Sequence, residues 1–409
     1  MKVLQMNCVY GNGSTGKIVY AIHRYLQKQG IDSYVIYGMG DKVAENNVFR
    51  TTNNFVRKLQ SLQSRVTGYP YGGAQLGTRN ALWYIEKVRP DIVHIHCING
   101  YMVNIYRILE YLKEHKIPTV ITNHAEFMYT GGCTHVVDCK KWLTGCGNCK
   151  KICKEHPISY FFDRTAKEWK LMQQAYSGFE KLYICNVSDW VRNHARKSPF
   201  FRDYPVETVF NGLNTETFSF KYDYKLAKQY NPNNQKLVIH VTPAFFSPIK
   251  GGNHVIEMAK RMPKVKFLIA GSTKNDTDIP DNIIFVGRVD DQAVLAKFYS
   301  IADLCLLTSL RETFSMVTAE SLCCGTPVVG FKAGEPESIA LPDYSSFVEQ
   351  GDDDALEREL RNMLEFHYDK KTISLTAHST YNDMKMCKEY LRIYKYIHNQ
   401  ILEKKKNEK

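Results

Sequence analysis

Residues 304–331 read LCLLTSLRETFSMVTAESLCCGTPVVGF, and their pattern decides the architecture of the surrounding chain. Leu304–Thr308 is an apolar run of strand length, Thr313–Cys323 carries a helical pattern, and Pro327–Phe331 is a second apolar run. Strand, helix and strand with no polar alternation in the strands is the signature of a parallel sheet covered on both faces. The same alternation extends outward. Lys236–Val241, Val265–Ala270 and Asn282–Val286 read as buried strands, with helices at about Asn253–Arg261 and Asp291–Ile301.

The first half repeats the scheme with different residues. Val3–Tyr10, Ser33–Tyr37, Asp91–His96, Pro118–Thr122, Lys181–Val187 and Val206–Phe210 are strand-like, and an amphipathic stretch runs from Lys17 to Gln29. No short repeat is present, so the chain reads as two similar α/β domains rather than a solenoid. We place them at 1–205 and 206–385. A C-terminal helix and charged tail follow at 386–409, in a helical pattern that begins near Tyr381 and should fray from Glu403. Asn231-Pro232-Asn233-Asn234 resembles a linker turn near the boundary.

Composition bounds the function. The 409 residues suit two domains, and 44% hydrophobic content excludes a wholly disordered chain. There is no run of 18 apolar residues, and Met1–Asn7 lacks a signal-peptide core and reads as a first strand. The expected location is therefore cytoplasmic, with the cytoplasmic face of the membrane as a place of work. Twelve cysteines are then thiols or metal ligands. Residues 1–200 carry 27 Lys and Arg against 14 Asp and Glu, whereas 201–409 carry 27 against 28. The whole excess of +12 thus lies in the first half, which could face nucleic acid, an anionic membrane or a phosphorylated substrate.

Ligands of open α/β sheets bind beyond the carboxyl ends of the strands. Gly11-Asn12-Gly13-Ser14-Thr15-Gly16-Lys17 follows the first strand and opens a helix. Small residues and free amides there suit a phosphate. The segment fits G-x-G-x-x-G, with Asp41 after the second strand where a ribose-binding acid would sit. It also fits G-x-x-x-x-G-K, but Ile18 stands where the nucleotide-triphosphate loop needs Ser or Thr. A dinucleotide site, a ligand-free turn and a phosphate-facing loop of another kind all remain open.

In the second half, Glu312 lies in the loop, Thr313 and Phe314 begin the helix, and Glu320 sits two turns further on. Two carboxylates beside a helix N-terminus could accept bonds from several hydroxyls, which suits a sugar attached to a nucleotide. With the apolar strand before it and Gly325-Thr326-Pro327-Val328-Val329 after it, the pattern becomes specific. The chain here resembles the retaining glycosyltransferases of family 4, which have the GT-B fold of two Rossmann-like domains facing across a cleft. The matching pieces are Gly11–Gly16, Asp91–His96, His124, Asn211-Gly212-Leu213-Asn214, Lys250-Gly251 and Glu312 through Glu320. Thr130-Gly131-Gly132-Cys133 and Gly145-Cys146-Gly147-Asn148-Cys149 resemble a bacterial subgroup that builds capsular and exopolysaccharides.

The resemblance implies a nucleotide-sugar donor, UDP- or GDP-linked, bound by the C-terminal domain, and a glycan or lipid-linked acceptor on the N-terminal one. It implies that Lys250 neutralises the leaving diphosphate, Glu320 holds the ribose, and Glu312 orients the sugar. The amides of Phe314 and Ser315 would meet the pyrophosphate or sugar. His124 would lie beside the sugar, and Gly13 to Gly16 would admit the phosphate. The C-terminal helix would cross back to the first domain, and catalysis would need no cofactor. Two departures stand out: Ala244 replaces a frequent Arg six residues before Lys250, and Ala125, followed by Glu126, replaces a frequent Asp after the histidine. Arg288 or Lys17 could compensate for the first.

Cys133, Cys139, Cys146 and Cys149, followed by Cys153, form a cluster in a long loop at 130–155. The spacing suits a structural zinc, with disulfides, free thiols or an iron–sulfur cluster as alternatives. His94 and His96 on one strand read as core histidines. Phe55, Val56, Leu59, Leu62 and Val66 fall at helical spacing beside Arg57, Lys58 and Arg65. They form either a core-packed helix or one that lies on an anionic membrane. Two rivals to the transferase reading are a nucleotide-sugar epimerase of the same fold and a basic, zinc-stabilised nucleic-acid-binding protein. The latter leaves Lys250, Glu312 and Glu320 unexplained.

Overall fold

Runs such as Lys2–Val9 and Leu304–Leu307 are buried on both faces at the centres of two parallel sheets. The structure, a computed structural model, describes residues 1–150, 152, 159–274 and 278–407. It divides into one unit of Met1–Phe210 with Met384–Lys409, and a second of Asn211–Asp383. The chain therefore leaves the first unit after Phe210 and returns at Met384. The turn at Asn231–Asn234, read above as a linker, lies inside the second unit, where Asn231 bonds Gln235 through both its side-chain atoms.

The first unit holds β1 (Lys2–Val9), β2 (Asp32–Met39), β3 (Val48–Arg50), β4 (Ile92–Ile95), β5 (Thr119–Asn123), β6 (Leu182–Asn186) and β7 (Val206–Thr208). Their order is β3-β2-β1-β4-β5-β6-β7, all neighbours parallel. The order reverses between β1 and β4, which opens a crevice at their carboxyl ends. The C-terminal helix Asp383–Asn407 packs Met386, Tyr390, Leu391, Tyr394 and Ile397 into the same core as Val3, Ile22, Ile92 and Val120. It remains helical to Asn407, past the point where fraying was expected, because its apolar stripe is anchored on this unit.

The second unit holds β8 (Leu237–Val241), β9 (Lys266–Ala270), β10 (Ile283–Gly287), β11 (Leu304–Leu307), β12 (Val328–Phe331) and β13 (Ser345–Val348). Their order is β10-β9-β8-β11-β12-β13, again parallel, with the reversal between β8 and β11. Its core packs Val238, Phe267, Leu304 and Leu306 against Val255, Met258, Leu356 and Leu360. The short strands β3 and β13 escape the sequence reading because neither carries an apolar run of strand length.

Candidate functional site

In the first unit, the helix that follows β1 runs from Gly13 to Lys28, so Gly13–Gly16 form its first turn rather than a loop ahead of it. Gly11 and Gly13 have φ of 71° and 65°, and the amide of Gly11 donates to the carbonyl of Gly16 at 3.0 Å. A Cβ on Gly16 would touch Val9 Cγ2 at 3.0 Å, which explains the small residue where the helix meets the strand. Asn12 at the N-cap makes no side-chain cap, so its side chain occupies none of the first-turn donors.

Asn7, a residue the sequence reading missed, organises this end of the sheet. It is fully buried, donates to the carbonyl of Val9 (2.7 Å) and to Thr15 Oγ1 (3.3 Å), and accepts from the amide of Cys97 (3.0 Å). A buried amide inside an otherwise apolar strand is the signal that could have found it.

His124 follows β5 and is nearly buried, and its Nε2 lies 3.0 Å from Nδ1 of His96. Burial pushes the pKa of His124 down to about 3, so the ring is a neutral hydrogen-bonding group rather than a cation. His94 is held between Thr122 Oγ1 (2.7 Å) and the Tyr394 hydroxyl of the C-terminal helix (2.5 Å), and its ring lies tilted against that of His96, centroids 3.8 Å apart. His94 and His96 are fully buried. Glu126 does not stand in for the acid missing at Ala125. It accepts from Tyr129 Oη (3.1 Å) and the amide of Val136 (2.7 Å), faces His194 Nδ1 at 3.0 Å, and so anchors the cysteine-rich loop.

These buried histidines have a consequence for stability. Burial also lowers His23 and His240 to about 4, and holds His94 and His96 well below the ordinary range. The unfolded chain takes up these protons near pH ~6.5, whereas the folded one resists them until far lower pH. Stability is therefore full above that pH and falls as pH drops from about 6.5 toward 4. Melting temperatures across that range should decline steadily, and a flat profile would count against buried neutral rings.

The thiols of Cys133 and Cys149 hydrogen-bond to each other, and this contact, with burial, raises the pKa of Cys133. Gly131 lies so close to Cys146 that a Cβ would meet its sulfur at 2.5 Å. Nevertheless, among the described residues no group of three or more His, Cys, Asp or Glu side chains is placed to hold a metal ion. Cys153 lies outside the described residues. The loop has other supports: Trp142 Nε1 donates to the carbonyl of Cys139, Trp169 Nε1 to that of Trp142, and Lys141 to those of Gly147 and Asn148, all at 2.9 Å.

In the second unit, Lys250 ends a short 3-10 turn, Pro248–Lys250, beyond β8. Thr308 Oγ1, just past β11, donates to the carbonyl of Lys250 at 3.0 Å, and the amide of Leu310 donates to that of Ile249 at 2.9 Å. The turn is thereby fastened where the strand order reverses. Glu312 is fixed by its amide, which donates to the carbonyl of Ala333 at 2.9 Å. Lys250 Nζ and Glu312 Oε1 meet at 2.7 Å, both partly exposed.

The helix after this loop begins at Met316, three residues later than expected, and ends at Cys323. Ser315 is its cap, with φ 70° and a side chain that accepts from the Thr318 amide at 3.3 Å. Phe314 and Ser315 are buried in the loop. On the helix, Glu320 accepts a hydrogen bond from Tyr299 Oη at 3.1 Å. Burial, with the Glu320 charge next, keeps that phenol protonated and therefore a donor. Lys250, Glu312, Phe314, Ser315 and Glu320 all lie on elements at the carboxyl edge of one sheet. Arg288, weighed as a substitute for the missing Arg at 244, is exposed and paired with Asp290 at 2.7 Å, and Ala244 itself is exposed.

Two parallel sheets, each with its ligand-binding edge at a reversal of strand order, define the GT-B class of α/β proteins. Residues 15–217 match the model described as Glycosyltransferase Family 4, and residues 224–374 match Glycosyl transferases group 1. The chain thus carries both glycosyltransferase domains. Among curated proteins it is similar to N-acetyl-alpha-D-glucosaminyl L-malate synthase of Bacillus anthracis, 31% identical over 163 residues, which are 36% of this chain and 41% of that one. It is also similar to the processive diacylglycerol alpha-glucosyltransferase of Acholeplasma laidlawii, 28% identical over 208 residues, 44% of this chain and 61% of that one. The matches therefore span less than two thirds of these relatives.

Solved structures agree on the fold. Sucrose-phosphate synthase from Thermosynechococcus elongatus superposes with a TM-score of 0.73 at 14% identity, covering 98% of this chain and 100% of that one. Anabaena HepE, solved in complex with UDP-glucose, gives 0.67 at 13% identity, covering 97% and 100%.

Proposed function

We propose that the protein is a retaining glycosyltransferase that moves a sugar from a UDP- or GDP-sugar to a glycan or lipid-linked oligosaccharide in cell-surface polysaccharide synthesis. The observation that carries this reading is the Lys250–Glu312 pair beside the buried Phe314–Ser315 loop, at the strand-order reversal of a glycosyltransferase group 1 domain. The UDP-glucose in the HepE structure favours a nucleotide-sugar donor.

The chemistry follows from charge. Breaking the bond between the anomeric carbon and the phosphate oxygen leaves negative charge on the diphosphate, which Lys250 and the amides near Ser315 neutralise. Lys250 is held by Glu312 until the diphosphate arrives. The phosphate then takes the ammonium, and the released carboxylate of Glu312 accepts from sugar hydroxyls. Glu320, braced by Tyr299, holds the ribose. The new bond to the acceptor oxygen forms on the face the phosphate leaves, and the acceptor proton passes to the departing phosphate oxygen. No step of this scheme requires a metal.

Thermal-shift titration against UDP, GDP and ADP tests the reading. One nucleoside diphosphate should stabilise the protein, and Glu320→Ala should weaken its binding at least about tenfold, or 1.4 kcal/mol. No stabilisation by any of them at millimolar concentration overturns the donor site. Release of free sugar without an acceptor would move the assignment to the epimerase.

A further inference from the structure

Helix Asn54–Thr67 is built inside out. Phe55, Leu59, Leu62 and Val66 recur at the spacing of one helical face, and all four are exposed, Phe55 to 69%. Its one buried residue is Ser64, and Arg57 Nε and Gln60 Oε1 are shielded from solvent on the same inner side. An amphipathic helix of a soluble domain turns its apolar stripe to the core; here the stripe faces out.

A second segment extends that face. Tyr160, Phe161 and Phe162 are consecutive and exposed, Phe161 to 71%. They are tied to the end of the helix: the amide of Tyr160 donates to the carbonyl of Arg65 at 2.8 Å, and Arg65 reaches the Tyr160 hydroxyl at 3.2 Å. Gly68 lies against the carbonyl of Phe162, Arg164 Nε donates to the carbonyl of Thr67 at 2.7 Å, and its guanidinium covers the Phe162 ring at 5.3 Å. Residues nearly a hundred positions apart thus form one apolar surface, fringed by Lys58, Arg65 and Arg164. The helix contains no acid, and Asp163 is turned to the amide of Cys149 and to Thr165.

We propose that this surface docks the protein on an anionic lipid bilayer, with the helix in the plane of the interface and the aromatic triplet inserted among the headgroups. Charge complementarity selects this occupant. Basic residues interleaved with exposed Phe, Leu and Tyr match a negatively charged leaflet. A second copy packed face to face would set Lys58, Arg65 and Arg164 against their own counterparts, because a twofold interface pairs each patch with itself. The proposal rests on the first unit alone and does not depend on the transferase reading.

Flotation with vesicles tests it, using phosphatidylcholine alone and phosphatidylcholine mixed with phosphatidylglycerol. At low salt the wild-type chain should float with the anionic vesicles and not with neutral ones, and high salt should release it. Leu59→Glu with Leu62→Glu should reduce partitioning about tenfold or more while the melting temperature and nucleotide binding stay unchanged, since both positions are exposed. Failure of the wild type to float, or flotation of the double variant equal to wild type, overturns the proposal. A wild-type dimer that the double variant converts to monomer assigns the face to a second copy instead and also overturns it.

Discussion

Lys250→Ala is expected to lower kcat by about 10²-fold, or ~2.7 kcal/mol, the scale of removing one preorganised group aimed at developing negative charge. The geometry sets this expectation. Lys250 is the end of a three-residue turn whose backbone is clamped by Thr308 and Leu310, so its ammonium is delivered from a fixed stem. Its pairing with Glu312 at 2.7 Å brings cation and carboxylate to one point before any ligand arrives. Ala244 removes the frequent second cation, and Arg288 is occupied by Asp290, so the leaving group depends more heavily on Lys250. Loss should appear mainly in kcat, because the charge it answers develops only as the bond breaks. Lys250→Arg retains the charge and should recover part of the rate. A folded Lys250→Ala protein with wild-type kcat would sink the role.

The second large effect is on stability. Gly251→Ala is expected to destabilise the second unit by about 3 kcal/mol, from a left-handed backbone penalty of ~1 and steric displacement of ~2. Gly251 has φ 66°, and a Cβ there would stand 2.1 Å from the carbonyl oxygen of Thr308, a backbone atom that cannot swing away. The neighbouring Gly252 is equally tight, with Phe245 O at 2.1 Å. These two residues let the Lys250 turn lie directly on the ends of β8 and β11. Gly13→Ala makes the control, because its φ is 65° but nothing lies within 4 Å. Calorimetry should show a shift of roughly 6–12 °C for Gly251→Ala and about a third of that for Gly13→Ala. Equal shifts would mean that backbone conformation, not contact with Thr308, is what the glycine serves.

Much of the fold was legible because its cause is local. Continuous apolar runs bounded by Gly, Pro and Asn mark buried parallel strands, and eleven of the thirteen strands among the described residues fall where those runs lie. Leu304–Leu307 and Val328–Phe331 needed nothing beyond composition and length. The edge strands Val48–Arg50 and Ser345–Val348 were invisible, since three or four residues with mixed polarity acquire strand structure only from the neighbour they pair with. The start of the helix at Met316 was misplaced for a related reason. Thr313 and Phe314 have acceptable helical character, but Ser315 is held at φ 70° by the loop and its hydroxyl caps Thr318.

The candidate site divides in the same way. Glu312, Glu320, Lys250 and the glycines could be named from pattern and family resemblance. Tyr299 and Thr308 could not, because each acts through a partner distant in sequence.

The sequence by itself determined two parallel α/β domains, the segments that bear the site, and the basic first half, all of which follow from local composition and spacing. Only the tertiary structure decided that Asn231–Asn234 is internal and that the chain returns at Met384. It also decided that the stripe from Phe55 to Val66 faces outward. An amphipathic pattern states that a helix has two faces. Which face is covered depends on what the rest of the chain brings beside it, and here that contact falls on Ser64 and the polar side.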